Sequence, residues 1–352
     1  MTTQLRTTRS IVDNNRRNQI GGAAKSFLLF LLGLFSISAV VLGAGGYFAW
    51  QEVQKPGPST DDTIIMLEPG SSVASIAQTL EQNSIIENAE IFTAAVRVKR
   101  VQGALKAGEY EVPSRASILE VIDLLTDGKS ILHAITIPEG LTSAQILRLI
   151  VADEVLVGDI LETVDEGALL PETYSFTRGE TRDAVIRRMK AAQDEMLEAV
   201  WSERAMELPI STPQEAIILA SIVEKETGLA DERPLIASVF VNRLNRGMRL
   251  QSDPTIIYGL TQGEPLGRGL RQSEIRGETA YNTYVINGLP PTPIANPGAD
   301  AIKAVLNPVE SEFLFFVADG TGGHAFAKTN REHQRNVAQW RRIERELRQR
   351  AN

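Results

Sequence analysis

The residues best suited to chemistry stand at the end of an apolar segment, where Glu224 and Glu226 follow the run Ile217–Val223. A carboxyl group at the rim of a hydrophobic core is partly desolvated, which raises its pKa and lets it hold a proton near neutral pH. A carboxyl group in that state can act as a general acid. Because Glu224 comes directly after the apolar run, it is the candidate for a catalytic acid, and a capping or salt-bridged residue is the alternative.

The sequence marks both ends of the helix that carries this acid. Thr212 suits the N-cap, Pro213 suits the first helical position, and Glu215 completes a capping box with Thr212. Gly228 suits a left-handed residue at the C-terminus. A second helix, predicted over residues 232–246, would form a hairpin with the first.

The segments after this hairpin favour a sugar as the substrate. The composition changes from Leu250–Leu260 onward, and Tyr281–Gly298, which is crowded with Pro, Gly, Asn and Tyr, reads as a long loop. Long irregular loops in a compact domain are more often functional than not. Aromatic rings stack on pyranose rings, and Asn, Gln and Asp side chains bind hydroxyl groups.

The sequence marks no second catalytic carboxylate as clearly as it marks Glu224. Glycosidases ordinarily use two carboxylates, and Asp253 and Glu226 are the candidates for the second. Glu226 faces about 200° away from Glu224 on a helix, which favours a structural role for Glu226. Asp253 precedes Pro254 and is either a turn former or a residue that binds the substrate.

Composition excludes several kinds of site. The 352-residue chain contains no Cys, which excludes disulfides, a Cys nucleophile and thiolate metal ligands. Its three His residues have no metal-binding spacing, so we expect neither a metal nor another cofactor. Residues 1–25 carry a net charge of +4 and residues 26–50 carry none; since the whole chain carries −8, the remainder carries −12. Such an acidic remainder argues against nucleic acid as a partner.

Ser26–Trp50 contains no charged residue and is long enough to cross a bilayer. Tyr47 and Trp50 lie at its far end, where aromatic rings favour the membrane interface. Basic residues precede it, so residues 1–25 are predicted to be a cytoplasmic tail and the later residues to lie across the inner membrane. A cleaved signal peptide is the alternative, and the length of the apolar run argues against it. Residues 51–62 are predicted to be a polar linker.

Two segments, Thr63–Ile86 and Ala134–Leu156, resemble each other at a shift of 70 residues. Each reads as a strand, a turn with Gly70 or Gly140, a Ser/Thr cap and an amphipathic helix. A further strand is predicted between them at Gly108–Val112. The similarity either marks two small binding or spacing units, or arises by chance because β-turn-α is a common unit.

Four motifs together resemble the YceG-like family of endolytic murein transglycosylases. They are SIVEKET at Ser221–Thr227, the RLxxGMxLQSDPTxxYG run at Arg243–Gly259, YNTYxxNGLPPxPIxNPG at Tyr281–Gly298, and GGHxF at Gly322–Phe326. The resemblance covers about residues 60–340 and extends to the apolar N-terminal segment. The chain has Thr292 where the family often has Gly.

The resemblance implies cleavage of the MurNAc–GlcNAc β-1,4 bond of nascent glycan strands without water. Glu224, at the matching position, would protonate the glycosidic oxygen and then accept the proton of the C6 hydroxyl that attacks C1, leaving a 1,6-anhydro end. A hydroxyl of the same sugar is held at high effective concentration, so a second carboxylate is unnecessary. The family also implies a LysM-like module and association with penicillin-binding synthases.

The predicted fold is therefore α+β. It consists of a cytoplasmic tail (1–25), a transmembrane helix (26–50), a linker (51–62), a LysM-like βα module (63–132) and a catalytic region (133–352). A membrane-tethered peptidoglycan-binding scaffold and a hydrolytic muramidase using Glu224 with Asp253 are the alternatives. Tyr281, Asn282 and Tyr284 either line a groove or pack in a loop core, and His324 is either structural or a proton carrier. The predicted substrate-binding residues are Gln251, Asp253, Tyr258, Tyr281, Asn282, Tyr284, Asn296 and His324.

Overall fold

The computed structural model describes the backbone of residues 9–351 and the side chains of residues 28–349. The start of the predicted cytoplasmic tail, residues 1–8, and the basic side chains of that tail lie outside the described part. The chain divides into two compact units, Met1–Ile131 and Leu132–Asn352. The architecture is mixed α+β, with three separate two-stranded antiparallel sheets among the described residues.

The first helix, α1, runs without interruption from Arg9 to Gln54. Its part from Leu28 to Gln54 is apolar and long enough to cross a membrane, and none of its most apolar window is buried inside the protein. The prediction that the linker begins at residue 51 is wrong, since residues 51–54 continue the helix. Val53 packs into the core of the first unit, and Pro56 is the first residue that cannot continue a helix.

The first unit packs helices around one antiparallel strand pair. Strand β1 (Thr63–Leu67) pairs with β2 (Gly108–Val112), which confirms the predicted second strand. Its helices are α2 (Val73–Gln82), α3 (Ala89–Lys99) and α4 (Ile118–Asp127). Leu67, Leu80, Phe92 and Tyr110 are fully enclosed in its core.

The second unit joins a helical core to two strand hairpins. One hairpin pairs β3 (His133–Thr136) with β4 (Thr173–Phe176), and the other pairs β5 (Phe315–Ala318) with β6 (His324–Ala327). Its longer helices are α5 (Ser143–Ala152), α6 (Arg182–Ser202), α7 (Pro213–Glu226), α8 (Arg233–Asn245), α9 (Asp253–Thr261) and α12 (Asn330–Ala351). The short helices are α10 (Gln272–Ile275) and α11 (Ala299–Leu306).

Both copies of the predicted β-turn-α pattern form as expected. Gly70 and Gly140 take left-handed conformations with φ of 82° and 75° in the turns. Ser72 and Thr142 then cap α2 and α5 through their side chains. The pattern is thus confirmed as local structure in both units.

Helix α7 is the buried centre of the second unit. Its capping box between Thr212 and Glu215 is confirmed, and residues 216–223 are all buried. The prediction for Gly228 is wrong, because the helix ends at Glu226 and Thr227 leaves it in an extended conformation. Since the chain straightens there, no left-handed residue is needed, and Gly228 has no positive φ.

Helix α9 contains Asp253, for which the sequence left a turn former and a substrate-binding residue as alternatives. Asp253 and Pro254 are the first two residues of this helix. Pro is well suited to the first turn of a helix because its missing N–H has no partner there. Asp253 is thereby held at the start of a rigid element rather than in a turn.

Candidate active site

The last turn of α7 presents two carboxylates on opposite sides. Residues two positions apart on a helix point about 200° away from each other. We call the surroundings of Glu224 the closed side and the surroundings of Glu226 the open side. The two environments differ in what each carboxylate contacts.

On the closed side, both oxygens of Glu224 have partners. Arg233 donates from Nη2 to Oε1 at 3.3 Å, and the Gly298 backbone N–H donates to Oε2 at 3.0 Å. The Glu224 side chain is only 5 % exposed. Burial raises its pKa, as the sequence predicted, and the Gly298 N–H opposes that rise.

Glu139 contacts Arg233 and adjoins Gly298. Arg233 donates to Glu139 Oε2 at 2.9 Å, so one guanidinium bridges two carboxylates. A Cβ atom at Gly298 would lie 1.8 Å from Glu139 Oε1, so a larger residue there would require the Glu139 side chain to move. The closed side is consequently an ion-pair cluster in which both oxygens of Glu224 already have partners in the protein.

On the open side, Glu226 lies at the wall of a cavity of about 540 Å³. The Ser252 hydroxyl donates to Glu226 Oε1 at 2.5 Å. Burial raises the pKa of Glu226 to about 7, and the charge of Asp253 acts in the same direction, whereas the Ser252 hydrogen bond, His324 and Arg243 oppose the rise. A carboxyl group with this pKa can be protonated or ionised near neutral pH, as an acid–base catalyst requires.

The other walls of the cavity supply aromatic, cationic and hydrogen-bonding groups. Tyr284, Phe315 and Phe316 provide aromatic rings, and Arg243 provides a cation. Arg243 is held by bonds of 2.6 Å from Nε to the Leu314 carbonyl and from Nη1 to the Leu250 carbonyl. The cavity therefore combines an acid with faces that suit a sugar ring.

Three of the predicted binding residues line this cavity. They are Gln251, Asp253 and Tyr284. The Tyr284 hydroxyl donates to Asp253 Oδ1 at 2.7 Å, and this bond and burial together raise the pKa of Tyr284. The structure thus brings these three side chains together with Glu226 rather than with Glu224.

Both predicted asparagines are fully buried and hold loops together. Asn282 donates to the carbonyls of Glu274, Ile275 and Gly277 and accepts the Tyr284 N–H. Asn296 donates to the Leu141 carbonyl and accepts the Leu169 N–H. With every polar atom engaged by the protein, these amides are structural anchors.

Tyr258, Tyr281 and His324 are also engaged within the fold. The Tyr258 hydroxyl donates to Glu166 at 3.1 Å, and its ring packs 5.1 Å from that of Tyr281. The Tyr281 hydroxyl hydrogen-bonds Thr292 at 2.8 Å, so the residue that departs from the family pattern is integrated into the loop. His324 Nδ1 lies 2.7 Å from Glu232 Oε2, which fits the structural interpretation of this histidine.

Sequence reasoning missed several residues around these sites. On the open side, Ser252 contacts Glu226 and His333 lines the cavity. On the closed side, the missed residues are Glu139 and Arg233. Glu166 is a partly buried carboxylate that accepts bonds from Ser143, Tyr258 and Asn296. Arg233 was within reach of prediction, because it begins the second helix of the predicted hairpin. Glu166 and Asn296 lie 130 residues apart and carry no local signal of their contact.

A smaller cavity of about 220 Å³ lies in the first unit, near the end of α1. Its charged groups are Glu52, Lys55 and Glu87, and Lys55 Nζ lies 3.7 Å from Glu52 and 2.8 Å from Glu87. Glu224 and Glu226, whose pKa burial raises, belong to the second unit.

Residues 65–339 match the YceG-like family. The chain belongs to this family. A YceG-like protein of Listeria monocytogenes, known from a crystal structure, is 30% identical and superimposes with a TM-score of 0.50 over 79% of this chain and 99% of that one. The family match includes both carboxylates of α7 and every residue that we describe around the cavity.

Curated relatives of this chain come from two organisms. The endolytic murein transglycosylase of Streptococcus pneumoniae is 32% identical over 89% of this chain and 64% of the relative. That of Bacillus subtilis is 30% identical over 83% of this chain and 89% of the relative. The chain thus spans 64% of the length of the pneumococcal relative and most of the length of the Bacillus one.

Proposed function

We propose that the chain is an endolytic peptidoglycan lytic transglycosylase that cleaves the MurNAc–GlcNAc β-1,4 bond and leaves 1,6-anhydro-MurNAc ends. Membership of the YceG-like family and the names of its relatives support the substrate class. The observation that carries the proposal is a carboxyl group with a pKa of about 7 at the wall of an aromatic-lined cavity.

We assign the acid to Glu226 rather than to the predicted Glu224. The argument that selected Glu224 was desolvation beside a hydrophobic core, and it applies to both residues. Glu224 has both oxygens bound to Arg233 and Gly298, whereas Glu226 adjoins open space. A general acid must come within hydrogen-bond reach of its substrate, and this requirement favours Glu226.

In the proposed reaction, protonated Glu226 gives its proton to the glycosidic oxygen as the bond from that oxygen to C1 of MurNAc breaks. The C6 hydroxyl of the same sugar then attacks C1, and the Glu226 carboxylate accepts the hydroxyl proton. Glu226 thus gives up one proton and regains one, and no water is consumed. Because the nucleophile belongs to the substrate, its effective concentration is high, and one carboxylate serves as acid and then as base.

The remaining parts fit a membrane-tethered enzyme. Helix α1 would cross the inner membrane with its N-terminus in the cytoplasm, which puts the second unit in the periplasm where nascent glycan strands leave the synthases. Penicillin-binding synthases are the proposed partners, and cleavage would terminate strand elongation. The small β1-α2-α3-β2 arrangement supports a LysM-like module over residues 63–132, followed by a catalytic region over 133–352.

Mass spectrometry of peptidoglycan digested by the full chain in detergent tests the proposal. We expect 1,6-anhydro ends from the unaltered chain and a loss of about 10²–10⁴-fold in rate for Glu226→Gln. Glu224→Gln, checked for folding by its melting temperature, should keep most of the activity. The reverse pattern would identify Glu224 as the acid.

Two other outcomes would contradict the proposal. Reducing ends that disappear in Asp253→Asn would identify a hydrolytic muramidase, because Asp253 lines the same cavity. The absence of new ends, together with retained binding to peptidoglycan, would identify a scaffold.

A further inference from the structure

Ser252 occupies a helix-capping position without capping the helix. It is the N-cap residue of α9, and serine at that position normally accepts an N–H bond from the second or third helical residue. Its side chain makes no such bond here. The second helical residue is Pro254, which has no N–H to donate. The hydroxyl is instead directed at Glu226, 26 residues earlier in the chain.

Buried hydroxyl groups hold Ser252 in that position. Its backbone N–H donates to Thr283 Oγ1 at 3.0 Å, and its carbonyl accepts from Thr255 Oγ1 at 2.7 Å. Thr255 and Thr283 hydrogen-bond each other at 2.9 Å. All three residues are almost completely buried. The position of the Ser252 hydroxyl is therefore fixed before any substrate binds.

We propose that Ser252 is a positioning residue that holds Glu226 Oε1 and leaves Oε2 as the oxygen that exchanges the proton with the substrate. This inference rests on the proposed function of Glu226. Among the described residues, no hydrogen bond reaches Oε2. A hydroxyl that donates to a carboxylate stabilises the ionised form, so Ser252 strengthens Glu226 as an acid at the moment it releases its proton.

Other charged groups around Glu226 remain in place when Ser252 is replaced. Asp253 of α9 opposes ionisation, while Arg243 of α8 and His324 of β6 favour it. Tyr284 also interacts electrostatically with Glu226, and His333 of α12 lines the same cavity. Removing the Ser252 hydroxyl thus isolates one contribution to the proton affinity of Glu226.

The test compares Ser252→Ala, Ser252→Thr and Ser238→Ala in the full chain. Ser238 is a matched control, because it is equally buried and its hydroxyl bonds Leu235 and Ser311 instead. For Ser252→Ala we expect the pKa of Glu226 to rise by about one unit. The alkaline limb of the pH–rate profile should move up with it, and kcat should fall about tenfold. Ser252→Thr should restore both, and Ser238→Ala should change neither.

The pKa of Glu226 can be measured without any assay of activity. In a ¹³C-carboxyl NMR titration, the Glu226 signal is the one missing from Glu226→Gln. An unchanged pKa in a folded Ser252→Ala chain would overturn the role of Ser252 and leave the proposed function intact. A raised pKa with an unchanged pH–rate profile would overturn Glu226 as the acid, and with it the catalytic part of this inference. If Ser252→Ala fails to fold, Ser252→Cys allows the same titration with a weaker hydrogen-bond donor. We then expect a smaller rise in the pKa of Glu226. The absence of that rise would also overturn the proposal.

Discussion

The closed and open sides of α7 differ in whether the buried carboxylate already has partners for its oxygens. The sequence shows that both carboxylates lie beside the apolar run but not which of them has partners. Glu224 and Glu226 follow the same apolar run, and burial raises the pKa of both. On the closed side, Arg233 and a backbone N–H take both oxygens of Glu224. On the open side, Ser252 takes one oxygen of Glu226 beside a cavity. Burial alone therefore does not identify a catalytic carboxylate; the decisive difference is whether the fold has already supplied its partners.

The largest expected effect is on stability, and it falls on the closed side. Arg233→Met would leave Glu224 and Glu139 without their shared cation, which breaks a buried ion pair. Such changes cost about 3–5 kcal/mol. We expect urea unfolding of the full chain in detergent, followed by the fluorescence of Trp201 and Trp340, to show a loss of that size.

The double variant Arg233→Met/Glu224→Gln is the control for this interpretation. It removes the uncompensated charge of Glu224 and should recover part of the loss, as coupled residues do in a double-mutant cycle. Glu226→Gln should cost less than about 1 kcal/mol, because Glu226 has no cation partner at ion-pair distance among the described residues. A loss below about 1 kcal/mol for Arg233→Met would remove the contrast between the two sides.

Local patterns in the sequence predicted the elements better than their contacts. The capping box of Thr212, the strand at Gly108–Val112 and the turns at Gly70 and Gly140 are set by neighbouring residues, and all formed as predicted. Gly228 misled because glycine permits a left-handed ending without requiring one. Here Thr227 leaves the helix extended and accepts the Leu229 N–H with its own hydroxyl.

The choice between the two carboxylates depends on contacts across long stretches of sequence. Gly298 and Ser252 lie 74 and 26 residues from the glutamates that they contact. A helix pattern gives the angle between Glu224 and Glu226 but not which of them faces a cavity. The residue type also did not decide the role of Asn282 and Asn296. An asparagine can bind a sugar hydroxyl or, as both do here, hydrogen-bond the backbone of a loop.

The second effect is a pH dependence of stability that comes from the open side. Glu226 has a pKa of about 7 in the folded chain and about 4.5 when exposed in the unfolded chain. Between these values the folded state keeps a proton that the unfolded state has released, so the free energy of unfolding decreases as pH rises from about 4.5 to 7. Above pH 7 both states are ionised and this contribution is constant.

Glu226→Gln isolates that contribution, since glutamine does not titrate. The difference in unfolding free energy between the unaltered chain and Glu226→Gln should fall by about 2 kcal/mol between pH 5 and pH 8. Urea titrations at both values measure it. If the difference in unfolding free energy is the same at the two pH values, Glu226 has an ordinary pKa. The open side would then hold no carboxyl group suited to acid catalysis near neutral pH.

The smallest effect concerns substrate binding at the far wall of the cavity. The ring of His333 stacks on Phe315 at 5.1 Å with an interplanar angle of 21°, and its buried Nδ1 has no hydrogen-bond partner in the described part of the chain. Burial and the charge of Arg243 lower the pKa of His333, so its ring is neutral near pH 7 and can both donate and accept a hydrogen bond.

We expect His333→Ala to raise KM about tenfold, equivalent to about 1.4 kcal/mol, with little change in kcat. His333→Phe keeps the stacking and removes the nitrogens. An intermediate KM for His333→Phe would show how much of the effect comes from stacking and how much from hydrogen bonds of the nitrogens. If KM is unchanged in both variants, the substrate does not reach this wall, and the open side is smaller than the cavity indicates.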